Sequence, residues 1–136
     1  MSNKISEKKK IITFDFDNTL TQNCYDGAPY SSIYIGPNFE MINLLKKYKE
    51  DGNTVYIVTR RIETNLLKKD VVDFVKFHKI IVDGIHFTNG HFKVAKLVAL
   101  RSKLHYDDDP DEIKWIKTYN PEIETVLVLP SKNQLR

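Results

Sequence analysis

The sequence predicts an α/β fold, with a parallel sheet of about five strands covered by helices on both faces. Two observations predict it. Short, largely apolar stretches, among them Ile11-Ile12-Thr13-Phe14, Tyr56-Ile57-Val58 and Val126-Leu127-Val128-Leu129, have the continuous hydrophobicity of strands buried on both faces. Between such stretches lie segments whose apolar residues recur at helical spacing, so strands and helices alternate along the chain. At 136 residues the chain has the size of one domain with a real core. It divides into a basic N-terminal tail, 1–9, and a single domain, 10–136, with no internal repeat, low-complexity stretch or linker.

Each element has its own signals. The first strand spans roughly 10–16, and a long loop to Gly36 follows, rich in Tyr25, Gly27, Pro29, Tyr30 and Tyr34. Pro37 or Asn38 opens a helix with Phe39, Ile42, Leu45 and Tyr48 on one face, which stops at Gly52. The second strand covers 54–58. A helix over 63–78 follows, with Leu67, Val71, Phe74 and His78 on its inner stripe. Ile85-His86-Phe87 forms a short third strand, and a helix over 93–102 presents Leu97 and Leu100. The fourth strand runs from Leu104 to Tyr106. Asp109 caps and Pro110 opens a last helix that buries Ile113 and Ile116 with Trp115 nearby, and 126–129 is the fifth strand.

Bulk properties exclude several function classes. The single cysteine, Cys24, rules out an internal disulfide framework, suits a reducing compartment and has no motif around it that would make it a nucleophile. No apolar run approaches the ~18 residues that span a bilayer, and the N-terminus lacks the apolar core of a secretory signal. The expected location is cytoplasmic, with no membrane partner. The net charge of +3 belongs to Lys4, Lys8, Lys9 and Lys10, offset by Glu7, because the other 126 residues hold 17 basic and 17 acidic side chains. That surplus reads as a solvated end, with a short arm for polyanions as the alternative.

The chemistry gathers at strand ends. Ile11-Ile12-Thr13-Phe14-Asp15-Phe16-Asp17-Asn18-Thr19 places two carboxylates, one residue apart, where an apolar strand stops. Unpaired buried carboxylates are costly, so ordinary strands avoid them. At the carboxyl end of a parallel strand, where open α/β sheets build ligand sites, two acids can share a divalent cation and one can attack phosphorus. A strand followed by an acidic turn is the plainer alternative. The second strand ends in Thr59, Arg60 and Arg61; Lys93 and Lys96 open a later helix; and the fourth strand ends in Asp107, Asp108 and Asp109. Three adjacent carboxylates repel one another unless a cation or a helix terminus takes up the charge. Asp109 fits the helix cap, which leaves Asp107 and Asp108 for a metal, with Asp108 preferred as the direct ligand. Hard carboxylate oxygens without a His/Cys cluster indicate Mg²⁺ rather than zinc. His78, His86, His91 and His105 show no ligand spacing and read as structural or surface residues.

Acids, hydroxyl, lysine and acids, in that order, resemble the haloacid dehalogenase superfamily of phosphoryl-transfer enzymes, whose first motif is Asp-x-Asp-x-Thr. The resemblance runs from about Ile11 to Leu129. It implies a three-layer, Rossmann-like sheet whose five strands lie in the order 5-4-1-2-3, putting strands one, two and four side by side. It further implies a Mg²⁺-dependent phosphomonoesterase. In that scheme Asp15 is the nucleophile that forms an aspartyl-phosphate. Asp17 is the general acid and base and offers its backbone carbonyl to the metal, and Asp15, Asp107 and Asp108 complete the metal site. Thr59 donates to the phosphoryl group, Thr19 supports the loop and with Asn18 counts among the substrate-binding residues, and Lys93, preferred to Lys96 for its place at the helix start, holds negative charge. Arg60 and Arg61 are candidates for gripping substrate phosphate, with a solvated pair as the alternative.

The two points where this superfamily inserts a cap domain offer only 22–36 and 88–92, so the resemblance is to the capless branch. An open site suits a large phosphorylated substrate such as a nucleotide or nucleic-acid end, unless a neighbouring subunit covers it. Selectivity then rests on the rim, meaning the 22–36 loop with Tyr25, Tyr30 and Tyr34, the two arginines and the Lys8, Lys9 and Lys10 tail. A protein or small-metabolite phosphatase, and a non-catalytic phosphate-binding module on the same fold, are the alternatives.

Overall fold

The computed structural model describes residues 9–25 and 32–129, with the backbone alone at 23–25 and 32–35. Lys4, Lys8 and Tyr30 lie outside the described residues, as do the side chains of Cys24, Tyr25 and Tyr34. The elements in chain order are β1 (Ile11–Phe14), β2 (Thr21–Tyr25), β3 (Ser32–Pro37), α1 (Phe39–Glu50), β4 (Thr54–Thr59) and α2 (Asn65–Phe77). They continue with β5 (Gly84–Phe87), α3 (Val94–Leu100), β6 (Leu104–Asp107), α4 (Pro110–Tyr119) and β7 (Glu124–Leu127).

Five strands form one parallel sheet in the order β5-β4-β1-β6-β7. Counted along the whole chain the order is 5-4-1-6-7 in place of 5-4-1-2-3, because the segment expected as a loop contains two strands of its own. β2 and β3 pair as an antiparallel hairpin apart from the main sheet. Thr21-Gln22-Asn23-Cys24-Tyr25 and Ser32-Ile33-Tyr34-Ile35 carry β-branched and aromatic residues that favour strands, a signal overshadowed by Gly27 and Pro29 between them. β1 lies between β4 and β6, and the chain winds outward through β4 and β5 before returning to β6 and β7. The reversal beside β1 is a topological switch point, where such sheets open a crevice at the carboxyl ends of their strands.

Alternation along the central strands sorts the two faces. Ile12, Phe14, Val55 and Ile57 pack with Met41, Ile42 and Leu45 of α1 and Val71, Phe74 and Val75 of α2. Tyr106 joins them, its ring stacked on Phe14 at 4.7 Å. On the other face Val58 packs with Leu97 of α3, Ile116 of α4 and Ile123. Thr13 and His105 also face that side, cross-strand partners buried in a face that elsewhere is apolar. The odd residues of β1 and β6 therefore lead from a polar layer in mid-sheet to Asp15 and Asp107 at the strand ends.

Several boundaries and faces differ from those expected. Phe39 and Leu67 are exposed, at 61% and 36%, because each sits in the first turn of its helix, beyond the stripe that meets the sheet. His78 is the C-cap of α2 rather than part of its inner stripe. β7 ends at Leu127 because its register is set by parallel pairing with β6, Leu104 opposite Glu124 and Asp107 opposite Leu127. Lys9 and Lys10 precede β1, at the opposite edge of the sheet from Asp15. Five residues of strand put about 17 Å between them, which removes these two lysines from the rim of the site.

Arg101 closes α3 in the left-handed conformation, with φ 62° and its N–H bonded to the carbonyls of Leu97 and Val98. An L-residue is strained there and glycine is not. Arg101→Gly is expected to stabilise the fold by about 0.5–1 kcal/mol in chemical denaturation; a loss of stability would show that the arginine side chain outweighs the strain.

Candidate active site

A cleft of about 360 Å³ opens at the carboxyl ends of β1, β4 and β6. Asp15, Asp17, Asn18, Thr59, Arg60, Arg61, Lys93, Asp107 and Asp108 line it, while Thr19 lies buried behind Asp15 with its hydroxyl donating to Asp15 Oδ2 at 3.2 Å. Asp15 follows β1 directly, and its N–H donates to Tyr106 O of β6 at 2.9 Å. The chain then turns sharply. Asn18 takes φ 60°, and the N–H groups of Thr19, Leu20 and Thr21 all point at Phe16 O, so Asp17 and Asn18 face the cleft.

Lys93 is the centre of the arrangement. As the N-cap residue of α3 it is 1% exposed, and its Nζ donates to Asp15 Oδ1 and to Asp107 Oδ2, both at 2.7 Å. Burial alone would lower the pKa of this amine, but the two carboxylates outweigh it and raise it, so Lys93 is a fixed cation. Lys96 lies one turn along α3 within electrostatic reach of His86, away from the carboxylates. The lysine in the cleft is therefore Lys93.

Asp107 is held from behind. His105 Nε2 lies 2.7 Å from Asp107 Oδ2, and Nδ1 lies 2.8 Å from Thr13 Oγ1, itself 2.8 Å from Ser102 Oγ. A carboxylate only accepts, so in the neutral ring Nε2 carries the proton and Nδ1 accepts from the Thr13 hydroxyl. Burial pushes Asp107 upward, but the hydrogen bond from His105 and the charge of Lys93 hold it at about 2. Asp109 serves as the cap of α4, its Oδ1 accepting from Asp111 N at 2.9 Å, and Asp109 N donates to Asp107 Oδ1 at 3.1 Å.

Asp15, Asp107 and Asp108 each offer a carboxylate oxygen, and these oxygens lie within 4.8 Å of one another. The group can hold a metal ion, and its donors are hard oxygens of the kind Mg²⁺ or Ca²⁺ takes. Electrostatics agree with that fit. Burial, then the hydrogen bond and charge of Asp15, push Asp108 up to about 9, and burial also raises Asp15 despite Lys93. One lysine does not neutralise three carboxylates, so at neutral pH a proton sits where a cation would otherwise take up the charge.

Asp17 stands apart from these three. Its carboxylate makes a two-pronged ion pair with Arg61, Nε to Oδ2 and Nη2 to Oδ1, each 2.8 Å. The guanidinium also lies over the Phe16 ring at 5.3 Å and is 3.7 Å from Asp70. Arg61, expected to grip substrate phosphate, thus spends its fork on Asp17. Arg60 turns the other way, donating to Gly90 O at 2.8 Å and lying over Phe92 at 4.7 Å, and it remains 40% exposed on the rim. Thr59 is buried at the end of β4, its hydroxyl accepting from Arg61 N at 3.3 Å.

Two residues of the site escaped the sequence reading. Glu112, fully buried in the first turn of α4, accepts from Lys93 N at 3.0 Å, while its Oε2 lines the cleft 3.6 Å from Arg60 Nε with no hydrogen bond among the described residues. Burial, partly offset by Lys93, pushes it to about 7. Its signal was an acid in the first turn of a helix that starts at the site, a place where the helix dipole favours carboxylates. His105, which reads from the sequence as a structural or surface residue, supports Asp107 from behind. The i, i+2 spacing to Asp107 on one strand, which puts both side chains on one face, is what marks it as a support.

No known protein-family profile matches this chain, and no curated protein sequence does. Its fold is shared by solved structures. A chain of the Pnkp1/Rnl/Hen1 RNA repair complex aligns over 93% of this chain with a TM-score of 0.66 and 17% identity. A chain from another structure of the Pnkp1/Rnl/Hen1 complex aligns over 91% with a TM-score of 0.64 and 16% identity. This chain spans 44% and 47% of those two chains. At that identity the likeness is one of fold.

Asp108 and Glu112 have pKa values raised above the ~4 of unfolded carboxyls. Such groups stabilise the fold fully in acid, and the contribution is lost as pH rises through about 7 and about 9. In chelator, Tm is expected to fall from pH 5 to pH 9, with a shallower slope in Asp108→Asn and when Mg²⁺ is added. A Tm that is flat or rises over that interval would contradict the charge-crowded site.

Proposed function

We propose that this chain is a Mg²⁺-dependent phosphomonoesterase that works through an aspartyl-phosphate on Asp15, with phosphorylated polynucleotide ends as substrate. The observation that supports it most is the convergence of Asp15, Lys93, Asp107 and Asp108 at the carboxyl ends of adjacent parallel strands, with Asp17 on the same rim. Phosphoryl transfer needs a nucleophile, charge neutralisation and donors for the equatorial oxygens, and little else from the protein.

In this reading Asp15 attacks phosphorus through one carboxylate oxygen as the bond to the leaving oxygen breaks. Asp17, once protonated on an oxygen freed from the Arg61 fork, gives the leaving oxygen that proton, then takes a proton from the water that attacks the phosphoryl group, releasing phosphate and restoring Asp15. Arg61 fixes where Asp17 stands. Lys93, buried and held as a cation between two carboxylates, meets the negative charge that builds up beside Asp15. Asp15, Asp107 and Asp108, with the Asp17 carbonyl, would hold Mg²⁺, which when bound would neutralise these carboxylates and the phosphoryl oxygens. Thr59 would donate its hydroxyl to the phosphoryl group.

An open cleft with Arg60 exposed on its rim supports a polyanionic substrate, and the fold shared with a chain of an RNA repair complex points the same way. Hydrolysis of an aryl phosphate is expected to require Mg²⁺ and to stop on chelation. Asp15→Asn should abolish turnover with the fold intact, and Asp17→Asn should slow it by ~10²–10⁴. Near wild-type rates in Asp15→Asn would refute the covalent route. A phosphorylated oligonucleotide should exceed a mononucleotide in kcat/KM at low salt, with the gap narrowing as salt rises, because bound phosphates release counterions. Equal efficiency at every salt concentration would leave a phosphatase of small substrates.

A further inference from the structure

A second cleft, of about 650 Å³, adjoins the first, and Arg61 lines both. Its lining is aromatic. Buried Phe16 meets Phe74 edge-on at 5.1 Å, and His78 lies 4.5 Å from Phe74 and 5.0 Å from Phe77. Phe77 is 79% exposed, a large ring left in water at the end of α2. Burial, followed by the nearby charge of Lys46, lowers the pKa of His78, so this ring presents itself neutral at pH 7.

The chemistry proposed above connects the two clefts. A proton passing from Asp17 to the leaving oxygen requires the leaving group to lie beside Asp17. Asp17 is held by Arg61, and the Arg61 guanidinium covers Phe16 at the edge of the aromatic cleft. A group attached to the leaving oxygen that follows Arg61 away from Asp17 reaches Phe16 and α2. For a nucleic-acid end that is a sugar and then a flat heteroaromatic base. Aromatic side chains stack on any base, and cavities of this size, apolar with a few polar groups, suit ligands larger than a single ring.

Resting on the phosphatase reading above, we propose that the cleft of Phe16, Phe74, Phe77 and His78 holds the base of the nucleotide that carries the scissile phosphate. The sugar spans the distance between the clefts along Arg61. Asp70 and Asp73 also line the aromatic cleft, and their carboxylates accept hydrogen bonds from sugar hydroxyls or base amino groups. A tyrosyl phosphate fits less well, because its ring is bonded directly to the leaving oxygen and ends beside Arg61.

The test compares kcat/KM for a dinucleotide with a terminal phosphate against the same molecule whose terminal sugar lacks its base. The wild type should favour the base-bearing substrate by about tenfold, the size expected for one stacked base. Phe77→Ala should bring that ratio close to one, and Phe77→Tyr, which keeps the ring, should preserve it. Stacking is read without turnover in Asp15→Asn, where a terminal 2-aminopurine should be quenched on binding and about tenfold more weakly bound once Phe77→Ala is added. A ratio near one in the wild type, an unquenched 2-aminopurine, or a preference for phosphotyrosine would each overturn the proposal, with the phosphatase reading intact. Quenching that persists in a protein with no activity on any phosphate would support the base site and sink the catalytic reading instead.

Discussion

Everything in the site is arranged around one buried ammonium group. Lys93 lies between Asp15 and Asp107 at 2.7 Å from each, with almost no contact with solvent. Ions this deep are stable only when their partners satisfy them, and removing one partner of such a set typically costs about 3–5 kcal/mol. The constraint works outward in three directions. It requires β1 and β6 to be neighbours, so that Asp15 and Asp107 reach the same nitrogen. It requires α3 to start at that point, and Glu112 secures the start by accepting the Lys93 N–H. It also leaves Asp108 with no cation of its own among the described residues.

That last imbalance is more than a structural ion pair requires. Four acidic groups, Asp15, Asp107, Asp108 and Glu112, crowd around one lysine, with Arg60 3.6 Å from Glu112 and Arg61 paired with Asp17. A fold selected for stability alone would replace such a cluster by apolar side chains of similar volume. Shifts in opposite directions within the cluster, Asp107 down and Asp108 up, are the pattern expected where neighbouring carboxyls have different tasks. Asp17 is outside this crowding, tied instead to Arg61. The proposed nucleophile and proton donor thus sit in different electrostatic surroundings although one residue separates them.

Much of this could be read along the chain, and the parts that could not share a physical cause. Asp15, Asp17 and the run at Asp107 were legible because acids at the end of an apolar strand are costly unless used. The alternation of strands and helices was legible for the same reason, as burial dictates it locally. Lys93 was one of two candidates, since only the three-dimensional meeting of α3 with β1 and β6 separates it from Lys96. Glu112 acts through Lys93 on another element, and His105 supports Asp107 from a buried layer, so their faint signals, a first-turn acid and an i, i+2 spacing, take on meaning only once β6, α3 and α4 meet. The β2–β3 hairpin was hidden by the glycine and proline between its strands. The fork of Arg61 on Asp17, 44 positions away, depends on the strand order alone.

The turn after β5 is tied to both arginines. Gly90 N donates to Arg60 O at 2.7 Å, Asn89 N to Arg61 O at 3.2 Å, and Asn89 Oδ1 accepts from Glu63 N at 2.8 Å, while Asn89 and Gly90 both adopt positive φ. The backbone beneath the two guanidinium groups is thereby fixed before any ligand arrives. Long cationic side chains on a free loop lose much of their binding energy to the entropy of ordering them. Here the loop entropy has already been spent in folding, so an anion that reached the rim would meet Arg60 on a backbone already ordered, an encounter closer to lock-and-key than to the ordering of a flexible arm.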